Sequence, residues 1–114
     1  MEATPEEKVR QWFIEYLHTS RGVPYHLMNS EVALTFGSKK YRADIVIFGH
    51  SGAPEAVVEC KRPEVPLSEE VARQALRYSS ILSVRTIWLT NGTDTKCFVR
   101  QDDNSGTVFK ETHI

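Results

Sequence analysis

The stretch EAVVECKRPEVPLSEEVARQALRYSSILSVRTIWLT, residues 55–90, decides the fold. Its first part, Glu55 to Lys61, is rich in valine and is stopped by Arg62-Pro63-Glu64-Val65-Pro66, where proline has no N–H to give to a ladder; it reads as a strand. Ser68 then offers an N-cap, and Glu69 and Glu70 fall in the first turn, where the helix dipole favours acids. The spacing predicts a helix to about Leu82. Val71, Ala75, Tyr78 and Leu82 form its sheet-facing stripe, flanked by Arg73, Gln74 and Arg77. Arg85 to Thr90 is a second apolar strand. Strand, helix and strand in this order make a parallel crossover.

Upstream, Tyr41 to Phe48 reads as a strand whose run Ile45-Val46-Ile47-Phe48 implies burial on both faces. Gly49-His50-Ser51-Gly52 is a turn, and Val32 to Phe36 is an earlier strand closed by Gly37-Ser38. Residues 24–30 fit a short helix or an extended approach. Thr4-Pro5-Glu6-Glu7 has the cap, the proline and the glutamate of a capping box, so a helix starts there. Val9, Trp12, Phe13, Tyr16 and Leu17 form its apolar stripe, and Thr19-Ser20-Arg21-Gly22 ends it. Trp12 and Trp88 are expected in the core. Downstream, Asn91-Gly92 is a turn before a strand at Thr95 to Arg100, and a last strand is expected at Thr107 to Lys110. The order α, β, β, β, α, β, β predicts one three-layer α/β (α+β) domain with a mixed sheet over residues 1–114.

Composition agrees with one core. The 114 residues are 40% hydrophobic and 25% charged, with a formal net charge of −1; this suits one globular domain and leaves no room for an ATP-driven motor. No apolar stretch approaches the roughly 20 residues that cross a bilayer. The acidic start Met1-Glu2-Ala3-Thr4-Pro5-Glu6-Glu7 is unlike a signal peptide, and a cytoplasmic location is expected. Cys60 and Cys97 sit in apolar segments and read as reduced core thiols, and the four histidines lack helical i, i+4 pairing, which argues against zinc. Eight of the 14 basic residues and six of the 15 acidic ones lie between Lys39 and Arg85, so the middle is locally positive.

Chemistry is expected where acids interrupt apolar strands. Asp44 sits inside one, and Glu59-Cys60-Lys61 places a glutamate and a lysine at i and i+2 of the next, on one face. If the two strands pair antiparallel through the 49–54 turn, Asp44 comes alongside Glu59. Two close carboxylates are costly unless a cation or a proton joins them. A hard divalent ion takes few carboxylates and keeps waters for a phosphate-bearing substrate, so the set suits metal-assisted phosphodiester hydrolysis, with Lys61 at the water. Glu31 could add a third carboxylate. E-x-K alone is common by chance, and its plain reading is a Glu59–Lys61 salt bridge. Gln74 is equally an exposed helix amide, and Tyr78 core or site wall. Arg73 and Arg77 read as a solvated face or a grip on DNA backbone, and Lys39-Lys40-Tyr41-Arg42 as a charged hairpin turn or a phosphate contact.

Four segments in order, Arg42-Ala43-Asp44-Ile45-Val46-Ile47-Phe48, Val57-Val58-Glu59-Cys60-Lys61-Arg62-Pro63, Gln74-Ala75-Leu76-Arg77-Tyr78 and Leu89-Thr90-Asn91-Gly92, resemble the N-terminal nuclease domain of type I restriction enzyme R subunits, within the PD-(D/E)xK nuclease superfamily. The resemblance covers about Val9 to Val99. It implies a restriction-endonuclease-like α/β/α core and a DNA endonuclease using Mg²⁺, with Mn²⁺ as substitute. By the same resemblance Asp44, Glu59, Glu31 and the Cys60 backbone carbonyl hold the metal, Lys61 assists the water, and Gln74 and Tyr78 support the site. Lys39, Lys40, Arg42, Arg62, Arg73 and Arg77 are the candidate DNA contacts. Ala43 stands where the family often has proline, and the helicase motor and specificity-docking regions of a full R subunit are absent from the chain. The partners implied are DNA and a helicase/translocase or other restriction-system subunit, with a homodimer also open. The alternative is a non-catalytic DNA-binding or partner-docking module on a nuclease-like fold.

Overall fold

The computed structural model describes residues 3–77 and 82–114. Helix α1 runs Pro5–Arg21. Thr4 Oγ1 accepts the Glu7 N–H at 3.1 Å, Pro5 opens the helix, and Gly22 closes it in the left-handed region. A 3₁₀ turn, Tyr25–Leu27, leads into β1 (Met28–Phe36), and β2 (Lys39–Phe48) and β3 (Pro54–Cys60) follow. Then come helix α2 (Glu69–Ala75), β4 (Thr86–Thr90), β5 (Thr95–Asp103) and β6 (Gly106–Thr112). The six strands lie in chain order in one mixed sheet. Every neighbouring pair is antiparallel except β3 and β4, which run parallel across the α2 connection.

One layer lies on each face. Val9, Phe13 and Leu17 of α1 pack on Ile45, Ala56, Val58, Cys60, Trp88 and Cys97. On the other face Ala72 and Ala75 of α2, with Leu67, Leu82 and Val84, cover Val46, Val57, Ile87, Leu89 and Phe98. Alternation along β3 and β4 thus feeds both cores, which is why those strands are apolar throughout. Both cysteines are buried free thiols. No helix among the described residues is long and apolar enough to cross a membrane.

Several sequence expectations change. Residues 28–30 belong to β1, so this strand starts earlier than Val32, and β6 extends past Lys110 to Thr112. Helix α2 ends at Ala75 with Leu76 as its cap, short of Leu82; Leu82 is buried without being helical, and Tyr78 lies outside the described residues. Trp12 is not core. It is 46% exposed and stacks on Tyr16, with centroids 5.8 Å apart, because Val9, Phe13 and Leu17 already fill the α1 contact with the sheet. Trp88 is buried as expected, edge-on to Phe13.

Candidate active site

The β2–β3 ladder begins at the turn and ends at Ile45↔Val58. Beyond that pair β3 stays attached only to β4, through Glu59↔Leu89 and Cys60↔Thr90, and the Lys61 N–H bonds the Thr90 carbonyl at 2.8 Å. Successive N–H groups of a strand point to opposite sides, so the Cys60 N–H points toward β2, where no backbone partner remains. The Asp44 carboxylate fills that place, its Oδ2 accepting the Cys60 N–H at 2.7 Å. In extended backbone a residue's N–H and C=O share a side, so the Cys60 carbonyl faces the same gap. Asp44, Glu59, Cys60 and Lys61 therefore gather where two paired strands part.

β2 also turns over at this point. Tyr41 and Ala43 belong to the α2 layer, whereas Ile45, which unbroken alternation would put beside them, packs in the α1 layer. Across the β1–β2 ladder the pairs Ser30↔Ile45 and Val32↔Ala43 leave Glu31 facing Asp44, and Glu31 has φ 55°, in the left-handed region. Interrupted pleating on both strands carries the two acids out of regular alternation.

Glu59 alternates with Val57 toward the α2 layer, where the Tyr41 hydroxyl donates to its Oε1 at 3.1 Å. Burial pushes the Glu59 carboxyl up to about 7, with the Asp44 charge adding to the rise and Tyr41, Lys61 and Arg77 opposing it. Asp44 is also raised, first by burial, against the pull of the Cys60 N–H, Arg10 and Lys61. Desolvation, more than mutual repulsion, makes these carboxylates poor anions on their own. The Tyr41 hydroxyl and the Cys60 thiol are driven up in turn by burial and then by these acids.

A cleft of about 410 Å³ opens beside Asp44, lined by Thr4, Pro5, Glu6, Glu7 and Arg10 of the α1 start, with Glu31, Cys60 and Arg62. Arg62 also pairs with Glu64 at 2.8 Å. Arg77 acts on Glu59 and Tyr41, so it stands near the site. Arg73 and Gln74 are exposed on α2, and among the described residues no side-chain hydrogen bond ties Gln74 to the acids. Lys39 and Lys40 are exposed at the far end of the β1–β2 hairpin, about 14–17 Å along β2 from Asp44. Arg42 and Arg10 both hold Glu31.

The expected third carboxylate does not join the pair: among the described residues no group of three or more His, Cys, Asp or Glu side chains surrounds one point. Glu31 is instead held by its two arginines, which lower its carboxyl. No Glu59–Lys61 salt bridge closes the motif among the described residues either. The donor set that does converge on the gap, two half-buried carboxylates held uncomfortably as anions and a backbone carbonyl, is hard oxygen chemistry and fits Mg²⁺ or Mn²⁺.

Sequence reading put Tyr41 at the start of a strand but gave it no role beside Glu59, and it did not single out Arg10, whose position depends on where α1 docks. It also understated Asn91. That amide is buried, accepts the Thr93 and Asp94 N–H groups at 2.9 and 2.7 Å, and donates to the Val65 carbonyl at 2.7 Å. It ties down the loop that follows Lys61.

No curated protein matches the chain. Among solved structures, a DUF820 protein of Anabaena variabilis ATCC 29413, described as a candidate nuclease, superposes with a TM-score of 0.58 over 96% of this chain and 68% of that one, at 14% identity. The fold is therefore shared with a nuclease-like protein. The N-terminal family of type I restriction enzyme R proteins (HSDR_N) matches over residues 5–112, nearly the whole length, and the chain belongs to that family.

Proposed function

We propose that this domain is a metal-dependent DNA endonuclease, hydrolysing phosphodiester bonds at the opening between β2 and β3. The observation that carries the reading is the pairing of Asp44 and Glu59, two half-buried carboxylates with raised pKa values, at the place where the ladder ends and Lys61 emerges. Membership of the R-protein family supports it.

Asp44, Glu59 and the Cys60 carbonyl would hold Mg²⁺, or Mn²⁺ in its place. When bound, the ion supplies Lewis acidity to the scissile phosphate and eases deprotonation of a water. The protein's own groups do the rest. The Cys60 N–H fixes the Asp44 carboxylate, and Tyr41 fixes that of Glu59, so neither has to reorganise when substrate arrives. The backbone bond from Lys61 to Thr90 anchors the lysine, whose ammonium positions the attacking water and offsets charge on the pentacoordinate phosphorus. Arg62 and Arg77 are placed to contact phosphate near the site, with Gln74 and Arg73 on the α2 flank and Lys39, Lys40 and Arg42 along the hairpin arm. DNA is the substrate, and the partner is a translocase or another restriction-system subunit that brings DNA to the cleft, in the cytoplasm.

A second reading, a DNA-binding or docking module without catalysis, is favoured by the missing third acid among the described residues. Plasmid nicking separates the two. Wild-type protein with Mg²⁺ or Mn²⁺, alone and with a candidate motor subunit, is expected to nick, and Asp44→Asn is expected not to. Binding without cleavage in every arm supports the docking module.

A further inference from the structure

Among the described residues Glu31 alone, glycines aside, has a left-handed backbone, φ 55°. Within a strand that conformation crowds Cβ against the next carbonyl and persists only where the surroundings impose it. Arg10 of α1 donates Nη1 to Glu31 Oε1 at 2.8 Å, and Arg42 of β2 brings Nη2 to 3.2 Å from Oε2. Both carboxylate oxygens are engaged. The Arg10 side chain is 17% exposed and that of Arg42 68%, so the pair better shielded from water is the one across to α1. Arg10, Glu31 and Asp44 line one cleft, and the register sets Glu31 opposite Asp44.

We infer that Arg10 is a positioning residue that holds Glu31 apart from the Asp44–Glu59 pair, so that a cation in the cleft meets two carboxylates while Arg10 is clamped and gains a third when Arg10 is drawn away. A DNA phosphate is the group suited to draw it away, because guanidinium pairs phosphate as readily as carboxylate. Phosphate arrival and completion of the metal site are thereby linked through one helix side chain. The inference rests on the metal-site reading above and adds to it a role for α1.

Losing Arg10 has two effects on cation affinity: a positive charge leaves the cleft, and Glu31 is left held by the exposed Arg42 alone. A double-mutant cycle separates them, since only the second needs the Glu31 carboxylate. The experiment is a Mn²⁺ titration of the DNA-free chain, followed by the electron paramagnetic resonance signal of free Mn²⁺, on wild type, Arg10→Met, Arg10→Lys, Glu31→Gln, the Arg10→Met/Glu31→Gln pair and Asp44→Asn. Arg10→Met is expected to bind Mn²⁺ about tenfold more tightly than wild type, the lower end of what outer-shell changes do to metal affinity. In the Glu31→Gln background the same change should gain about twofold or less, and Arg10→Lys should stay near wild type. Arg10→Gln repeats the test if the methionine variant does not fold. A gain that is absent, or equal in both backgrounds, overturns the clamp. If Asp44→Asn abolishes Mn²⁺ binding while Arg10→Met changes nothing, the metal site stands and only the clamp falls. If wild type and Arg10→Met both fail to bind Mn²⁺, the metal-site reading falls and the clamp with it.

Discussion

Asp44 completes the hydrogen bonding of Cys60: its carboxylate takes the N–H that β2 would otherwise have paired, at 2.7 Å. A charged acceptor thus stands in for a backbone carbonyl at the point where the β2–β3 ladder ends. Asp44→Asn keeps the shape but weakens a charge-assisted bond. Asp44→Ala leaves the N–H without its partner and is expected to cost about 1–3 kcal/mol more than Asn. Urea unfolding of the two variants checks the order.

Cation binding should be visible as stability. A ligand that binds only the folded state stabilises it by about 2.7 kcal/mol at a hundredfold excess over Kd, which for a domain of this size is on the order of 10 °C in Tm. Mg²⁺ is expected to raise the Tm of wild type, and Asp44→Asn and Glu59→Gln to abolish the response. An unchanged shift in both variants would put the ion elsewhere.

The Glu59 carboxyl rises from 4.5 to about 7 on folding. The folded state binds this proton more tightly than the unfolded chain, so the contribution to stability is full below about pH 4.5 and is lost as pH climbs through 7. Metal-free protein should therefore weaken across that window, by up to on the order of 3 kcal/mol. Glu59→Gln should flatten this part of the profile and leave the variant more stable than wild type near pH 8. Denaturant midpoints measured from pH 4 to 8 test it, and parallel profiles for the two proteins would contradict it.

Rate and affinity should separate by residue. Lys61→Ala is expected to cut cleavage on the order of a hundredfold with little change in DNA binding, because its charge is needed most in the transition state. Arg62→Ala should instead weaken binding and lower the salt dependence by about one unit. Equal losses of both kinds in both variants would remove the distinction.

Phe13 is fully buried and Trp12 about half exposed, although both lie on the same sequence stripe. Phe13→Ala is expected to cost about 3–5 kcal/mol and Trp12→Ala well under that, measured by equilibrium unfolding. The contrast shows what periodicity leaves out. It gives the face of a helix, but the width of the buried strip depends on the partner surface, and here Val9, Phe13 and Leu17 complete it.

The β3–α2–β4 crossover was legible because punctuation and period agree: apolar strand, prolines, serine cap, apolar strand. The acids of the candidate site stood out for a related reason, since Asp44 and Glu59 are charges in strands that otherwise feed two cores. Glu31 was visible as an acid but its engagement was not. Its backbone conformation and its hold by Arg10, 21 residues away in sequence, depend on how α1 docks against the sheet. Tyr41 was legible as the start of a strand after the Gly37-Ser38 turn, but its bond to Glu59 was not, because that contact depends on β3 lying beside β2.

Asp44 and Glu59 are proposed to share one divalent cation. Crystals grown without metal and soaked in Mn²⁺, with data collected at the manganese absorption edge, test it most directly. An anomalous peak is expected in the gap between β2 and β3, with an oxygen of Asp44 and an oxygen of Glu59 both roughly 2.0–2.6 Å from it. A peak held by one of these acids alone, a peak elsewhere, or no peak in crystals of protein that nicks DNA with Mn²⁺ would contradict it.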